Sequence, residues 1–381
     1  MFPMRSLLVL LGTSSALAAP TRLGLDASTL ANVRSKMMEI ATHSWELGTE
    51  AETLLELESP DYSVFSRSLH RPPTRIAANS SVVDVISLAE RIVEAQPADS
   101  LPLIDGDGAV GDPASLGVPV LLANWTRTNQ SDDRFSVAAE GQLKYLLEVA
   151  PRNSDGAISH REEQVQLWAD FVYMAPPFIA YFGALSDGDD AKNILRIAYD
   201  QCRLYRDNLR VPEAGLWKHI VLGDWQDNTL WGTGNAWAAA GMLRVLETIR
   251  RSPHSHRFER EKIDLASWTQ EIIDNSWKYQ QTNGTLLNAL DDPASFADSS
   301  STALLAATTY RLAALTGDLS HIPAANKAFK VIKESIDEDG WLLNTVDPFT
   351  FNTPSKPGEH SPEGQAFALL LHAAWRDYNE S

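Results

Sequence analysis

Apolar residues recur at three- and four-residue spacing over residues 30–57, 82–93, 135–149, 164–185, 194–209, 230–249, 263–277, 300–315, 326–336 and 363–378. That spacing places them on one face of an α-helix. Alternating runs of the kind that form half-buried strands are scarce. Turn-rich connectors separate the helical runs, among them Asp105-Gly-Asp-Gly108, Ser186-Asp-Gly-Asp-Asp190, Asp337-Glu-Asp-Gly340 and Pro354-Ser-Lys-Pro-Gly358. The pattern predicts an all-α protein of roughly ten to twelve helices. Helices of this length, joined alternately by tight turns and longer loops, suit hairpins stacked around a ring, so an (α/α)6 toroid is the expected architecture. In such a ring the long loops converge on one mouth. No low-complexity linker divides the chain, and residues 19–381 read as one domain.

The first residues differ in kind. Arg5 precedes the apolar run Leu7-Leu-Val-Leu-Leu11, and Ala16-Leu-Ala18 follows with small residues at the spacing a signal peptidase reads. The run is too short to span a bilayer, so residues 1–18 are expected to be a cleaved secretory signal and the protein to be extracellular. Five glycosylation sequons fit that route, at Asn79, Asn124, Asn129, Asn283 and Asn379. Cys202 is the sole cysteine, so no intrachain disulfide can form and burial must hold the fold. It reads as a core thiol. The net charge of -18 speaks against nucleic acid or anionic membranes as partners held by bulk electrostatics. A small anionic substrate would need donors in a local pocket. The sequence shows no metal-ligand cluster, phosphate loop or dinucleotide fingerprint, and no cofactor is expected; the Asp-Gly repeats lack the later acidic ligands of an EF-hand.

Candidate chemistry begins with Trp168-Ala-Asp170-Phe-Val-Tyr173-Met174-Ala-Pro-Pro-Phe178, one carboxylate inside an aromatic run. Loss of hydration favours the protonated form and would make Asp170 an acid. Alternatively it caps a helix or pairs with a distant Arg. Trp217, Trp225, Trp231 and Trp237, four of 11 tryptophans, fall within one short span. Each can serve as a platform for a sugar face or be an ordinary core residue. Gly215-Leu-Trp217-Lys-His219 is followed by Trp231-Gly-Thr233-Gly-Asn235-Ala-Trp237. There Asn235 can cap a helix and His219 can donate to a ligand or be a satisfied structural histidine.

These segments, taken with Gly156-Ala-Ile-Ser-His160-Arg161, Asp298-Ser-Ser-Ser-Thr302 and Ser361-Pro-Glu-Gly-Gln-Ala-Phe367, resemble glycoside hydrolase family 105, the unsaturated rhamnogalacturonyl hydrolases, and its secreted fungal branch. The related family 88, the unsaturated glucuronyl hydrolases, shares the six-hairpin (α/α)6 fold. The resemblance implies an oligosaccharide substrate whose non-reducing end is a 4,5-unsaturated uronic acid left by a polysaccharide lyase. It implies hydration of the vinyl ether, with one carboxylic acid protonating C4 and water adding at C5, after which the hemiketal opens and frees the aglycone. By position in the motif that acid and base is Asp170.

The family's second aspartate comes from earlier in the chain, and Asp112, just before a helix expected to start with Pro113, is the candidate; it can equally be an N-cap. His160, Arg161, Tyr173, Met174, Trp217, His219, Trp231, Thr233, Asn235 and Trp237 are the candidate substrate contacts. Thr233 departs from the Arg that bacterial members carry. A hydroxyl cannot make the same bidentate contact to a uronate, so that role passes to Arg161, His160, Lys218 or His219, or the preferred sugar differs. A hydrolase of saturated uronides and a non-catalytic sugar-binding toroid are the alternative functions.

Overall fold

The computed structural model describes residues 23–66 and 82–380; the expected signal segment and Asn79 lie outside them. Among the described residues twelve α-helices have ten residues or more. They are α1 (Ala27–Ile40), α2 (Ser44–Glu58), α3 (Val82–Ala95), α4 (Gly117–Thr126), α5 (Arg134–Lys144) and α6 (Pro176–Leu185). The second half supplies α7 (Gly188–Leu209), α8 (Gly232–Arg251), α9 (Glu259–Ser276), α10 (Ser299–Thr316), α11 (Ile322–Glu334) and α12 (Pro362–Asn379).

Two kinds of helix alternate. Odd-numbered helices bury a stripe, as α3 does with Val82, Val85, Leu88, Ala89 and Ile92. Even-numbered ones are buried nearly all round: every residue over 232–249 of α8 and 299–313 of α10 is buried. A helix with no solvent face must lie inside. Accordingly α2 packs on α4, α4 on α6, α6 on α8, α8 on α10, α10 on α12, and α12 back on α2. That closes an inner ring, and the odd-numbered helices pack around it, giving the expected (α/α)6 toroid.

Close approach within the ring needs missing side chains at two points. A Cβ on Gly48 of α2 would lie 2.0 Å from Ser115 Oγ, and one on Gly241 of α8 would lie 2.2 Å from the Val172 carbonyl. Both glycines hold the ring against the segments that carry Asp112 and Asp170.

The periodicity fails locally in two places. Residues 30–57 form two helices, because Glu46 turns back to accept from the Thr42 and His43 N–H groups at 2.7 and 2.9 Å and starts α2 afresh. Residues 164–185 open as a strand and become helical only from Phe171. Among the described residues six short strands lie in the loops: β1 (Gln166–Trp168), β2 (Arg210–Val211), β3 (Leu216–Trp217), β4 (Ile220–Leu222), β5 (Leu286–Leu287) and β6 (Ala297–Asp298). They pair antiparallel as β1 with β4, β2 with β3 and β5 with β6.

Because outer and inner helices alternate along the chain, the long connectors before α4, α6, α8, α10 and α12 enter the ring at the N-termini of inner helices. The positive ends of those helix dipoles therefore gather at one mouth. Cys202 is buried in the core, and no described helix is long and apolar enough to cross a membrane.

Candidate active site

A cavity of about 220 Å³ opens at that mouth. Every inner helix start contributes to its wall: Trp45 from α2, Asp112 before α4, Asp170 and Met174 before α6, Trp231, Thr233 and Trp237 at α8, Ser300 at α10, and Glu363 and Phe367 at α12.

Asp170 is set by backbone pairing on both sides. Trp168 of β1 lies opposite Ile220 of β4, and the Ala169 N–H donates to the His219 carbonyl at 2.9 Å. That register brings His219 beside Asp170. The Asp170 carbonyl accepts from Tyr173 and starts the helical turn Phe171–Met174, but its side chain makes no capping bond. Its Oδ2 faces His219 Nε2 at 3.6 Å, while Oδ1 is buried with no hydrogen-bond partner. Of the two structural roles open from sequence, capping and an Arg pair, Asp170 takes neither.

His219 is held from behind. Its Nδ1 lies 3.0 Å from Asp227 Oδ2. Burial works against charge on the ring, yet Asp170 and Asp227 together raise its pKa above the ordinary histidine value. Burial also disfavours the Asp227 carboxylate, but His219 and Thr229 hold it down at about 2. A second histidine behaves oppositely. His160 stacks on Trp168 with ring centres 5.0 Å apart, its Nε2 is 3.9 Å from Asp112 Oδ1, and burial lowers it to about 4, leaving the ring neutral.

Asp112 opens the 3-10 turn Asp112–Leu116 without using its side chain as a cap. Burial, then the charges of Asp107 and Asp170, push its carboxyl well above the usual range against the pull of Arg161. A desolvated, proton-holding carboxyl thus stands at Asp112.

The other predicted residues divide into wall and support. Arg161 lines the cavity, with Nε 3.0 Å from Glu163 Oε1. Trp231 is anchored through Nε1 to Asn288 Oδ1 at 2.8 Å, and Trp237 packs between Tyr173 and Phe367. Thr233 donates to Asp298 Oδ2 at 3.0 Å. Asp298 caps α10 through Ser300 and Ser301 N–H and also accepts from Val346 N–H, so the hydroxyl ties α8 to α10.

His219, Asn235, Trp217 and Tyr173 lie outside the wall. Helix α8 begins at Gly232, so Asn235 is not its cap. Its amide instead clamps β3, accepting from Trp217 N–H at 2.8 Å and donating to the Trp217 carbonyl at 2.9 Å. Trp217 is fully buried. Tyr173 faces the interior, with the Arg244 guanidinium 5.0 Å from its ring centre.

Several wall residues escaped the sequence reading. Trp45 donates from Nε1 to Glu363 Oε1 at 2.7 Å, across 318 residues of chain. Burial and Glu46 push Glu363 up to about 7, although its own N–H, Trp45 and Ser361 favour the charged form. Glu363 stood inside a quoted motif; Trp45 carried no local signal.

The model of Glycosyl Hydrolase Family 88 matches residues 114–354. A comparison with curated proteins gives no match. Among solved structures, a possible member of family 105 from Salmonella enterica subsp. enterica serovar Paratyphi A is 20% identical, with a TM-score of 0.71 over 97% of each chain. A family 88 glycosyl hydrolase from Bacteroides vulgatus is 14% identical, with a TM-score of 0.68 over 92% of this chain and 98% of its own. An unsaturated glucuronyl hydrolase from Bacillus sp. GL1, responsible for glycosaminoglycan degradation, is 13% identical, with a TM-score of 0.60 over 91% of this chain and 94% of its own. At these identities the structural likeness speaks for the toroid they share. The family model, which matches well over half of the sequence and includes Asp170, His219 and the start of α8, decides more: the chain belongs to Glycosyl Hydrolase Family 88.

Proposed function

We propose that this glycoside hydrolase removes a 4,5-unsaturated uronic acid from the non-reducing end of lyase-generated oligosaccharides by hydrating its vinyl ether. The observation that carries the reading is the buried Oδ1 of Asp170, a carboxyl oxygen without a partner in a cavity of about 220 Å³. Pockets for drug-sized ligands run to about 300–1,000 Å³. This one suits a single sugar ring at a chain end.

Asp112 and Asp170 face one cavity, and burial together with neighbouring carboxylates favours the protonated form of Asp112. Asp170 is the member placed to pass a proton to C4. Water then forms a bond to C5 and gives its proton back to Asp170, so the catalyst is regenerated. The hemiketal opens and the aglycone leaves with its oxygen protonated. Behind Asp170, His219, held by Asp227, faces Oδ2 and leaves Oδ1 to the substrate. Neutral His160 and proton-bearing Asp112 offer hydrogen bonds to sugar hydroxyls without adding charge at the reacting carbon. The uronate is drawn by Arg161 and by the converging helix N-termini.

The rhamnogalacturonan type of substrate, with a galacturonyl end, is favoured by the motif order along the chain. Export is supported by the leader-like first 18 residues and by sequons at exposed Asn129 and Asn283. The test is incubation with unsaturated disaccharides made by a lyase, following the absorbance of the conjugated enol ether. Loss of absorbance that Asp170→Asn abolishes supports the proposal. Cleavage of saturated uronides with no effect on unsaturated ones overturns it.

A further inference from the structure

Ser300, the second residue of α10, is 1% exposed, and its Oγ is buried on the cavity wall without a hydrogen-bond partner. Capping of α10 does not use this hydroxyl, because there the backbone N–H groups of Ser300 and Ser301 donate to the Asp298 carboxylate. Its neighbours behave differently. The hydroxyls of Ser301 and Thr302 both donate to the Asp298 carbonyl, at 3.2 and 2.6 Å. A buried hydroxyl left without a partner is costly, so one that faces a cavity points to a ligand that completes it.

The first turn of α12 stands directly beside it. A Cβ on Gly364 would lie 3.3 Å from Ser300 Oγ and 2.8 Å from Thr345 Cγ2, so the missing side chain lets the two helix starts close on each other. Glu363, one residue earlier, lines the same cavity. Each of its oxygens accepts one hydrogen bond, from Trp45 Nε1 at 2.7 Å and from Ser361 Oγ at 2.9 Å. Among the described residues the charged groups around it are mostly carboxylates: Glu46 of α2 behind it, and Asp112 and Asp170 on the shared wall, with His160 and Arg161 beside them. From α10, residues 299–302 present only hydroxyls. Burial, then Glu46, push the Glu363 carboxyl up to about 7, so it keeps its proton in mildly acidic solution. A protonated carboxyl whose protein contacts are accepted bonds has its own O–H free to donate. Thr233, at the adjoining start of α8, adds no third donor, since its hydroxyl is given to Asp298 at 3.0 Å.

We infer that Ser300 and Glu363 form the pocket that takes the carboxylate of the uronic acid, at the joined N-termini of α10 and α12. This rests on the hydrolase reading above and names the groups that recognise the acid. The Ser300 hydroxyl and the Glu363 O–H donate to the uronate oxygens, and the positive ends of two helices add to the attraction. A hydrogen bond from a carboxylic acid to a carboxylate is charge-assisted and short, and it depends on the one proton between them. Once Glu363 has lost that proton, the pocket turns a negative charge toward a negative ligand. Arg161 has a different part. It stands against Gly108 with its Nε 3.0 Å from Glu163 Oε1, and it draws the anion in without supplying the buried contact. The pocket thus replaces the Arg that Thr233 lacks, and it ties recognition of the acid to pH.

The experiment compares a lyase-generated unsaturated disaccharide with the methyl ester of its uronyl group, from about pH 5 to about pH 9. For the wild-type enzyme, KM for the acid should climb by about tenfold per pH unit above about 7, while KM for the ester stays level. That comparison needs no variant. Glu363→Gln should flatten the profile of the acid. At about pH 6, Ser300→Ala should raise KM for the acid about tenfold, with KM for the ester and kcat on either substrate changed less than about threefold. Calorimetric binding of acid and ester to Asp170→Asn, alone and combined with Ser300→Ala, reads the same contrast without turnover. Parallel profiles for acid and ester, or a Ser300→Ala change that leaves KM for the acid unmoved or raises both equally, overturn the pocket. Failure of the wild-type enzyme on every unsaturated substrate, with binding of the acid and not the ester still weakened by Ser300→Ala, overturns the hydrolase reading and keeps the pocket.

Discussion

The two ends of the inner ring handle buried charge in opposite ways. Toward the C-terminal halves of the inner helices, Arg244 reaches Glu52 and Glu56, and Arg311 reaches Glu56 and Asp377. Phe65 is covered by both guanidinium groups. Four inner helices are cross-tied there by opposite charges. At the N-terminal mouth, Asp112, Asp170 and Glu363 face one cavity without an opposing Lys or Arg in hydrogen-bonding contact, and the histidines between them differ in state. A buried charge without its counter-ion is costly, so an arrangement that keeps one is retained for what it does. Pairing closes one end of the ring, and the lack of pairing makes the other end reactive.

The largest expected effect comes from removing the reactive member. Asp170→Asn should lower kcat/KM by about 10³-fold or more, while thermal unfolding moves by only a few degrees; steady-state kinetics beside calorimetry checks both halves. A variant that unfolds instead would place Asp170 with the structural end. The converse change is Arg244→Met, which leaves Glu52 and Glu56 buried and unpaired. It should cost about 3–5 kcal/mol in denaturant unfolding while the folded fraction keeps its kcat.

Glu363 sharpens the comparison through pH. Its pKa of about 7, and that of buried Glu50 at about 7, lie above the ordinary value of 4.5. The folded protein keeps these protons where the unfolded chain has released them. Their contribution to stability is therefore full below the unfolded value and is lost as pH rises from about 4.5 to about 7. Glu363→Gln should remove its share, on the order of 3 kcal/mol across that window, seen as a flatter plot of melting temperature against pH. The smallest effect is expected for Thr233→Val, which deletes one hydrogen bond to Asp298 and should cost about 1 kcal/mol with little change in kcat. A large fall in affinity for substrate would instead give Thr233 a direct part in binding.

The ring was legible because its helices carry period. Outer helices such as α3 announce themselves by a single apolar stripe. The inner helix α4 has none, since Val118, Pro119, Val120, Leu121, Leu122 and Ala123 are all buried, and its start was marked only by Pro113 after Asp112. The site was legible in its motifs and less so in its electrostatics. Phe171, Val172 and Tyr173 follow Asp170 in sequence, but the turn directs them into the core, where Phe171 stacks on Tyr205. The groups that set Asp170 in space are His219 and, through it, Asp227, brought by strand register. Asp112 is desolvated as well, although its sequence neighbours Gly111, Pro113 and Ala114 carry no large ring to announce it. Trp45 and Glu363 meet only because α2 and α12 close the ring, a contact that no local pattern can encode.

The most direct test of the proposed chemistry is hydrolysis of the unsaturated disaccharide in D₂O, with the product read by NMR and ultraviolet absorbance. Hydration through Asp170 predicts one deuterium at C4 of the released uronic acid and complete loss of the enol-ether absorbance in step with aglycone release. Release of the aglycone with the double bond intact and no deuterium at C4 would contradict it.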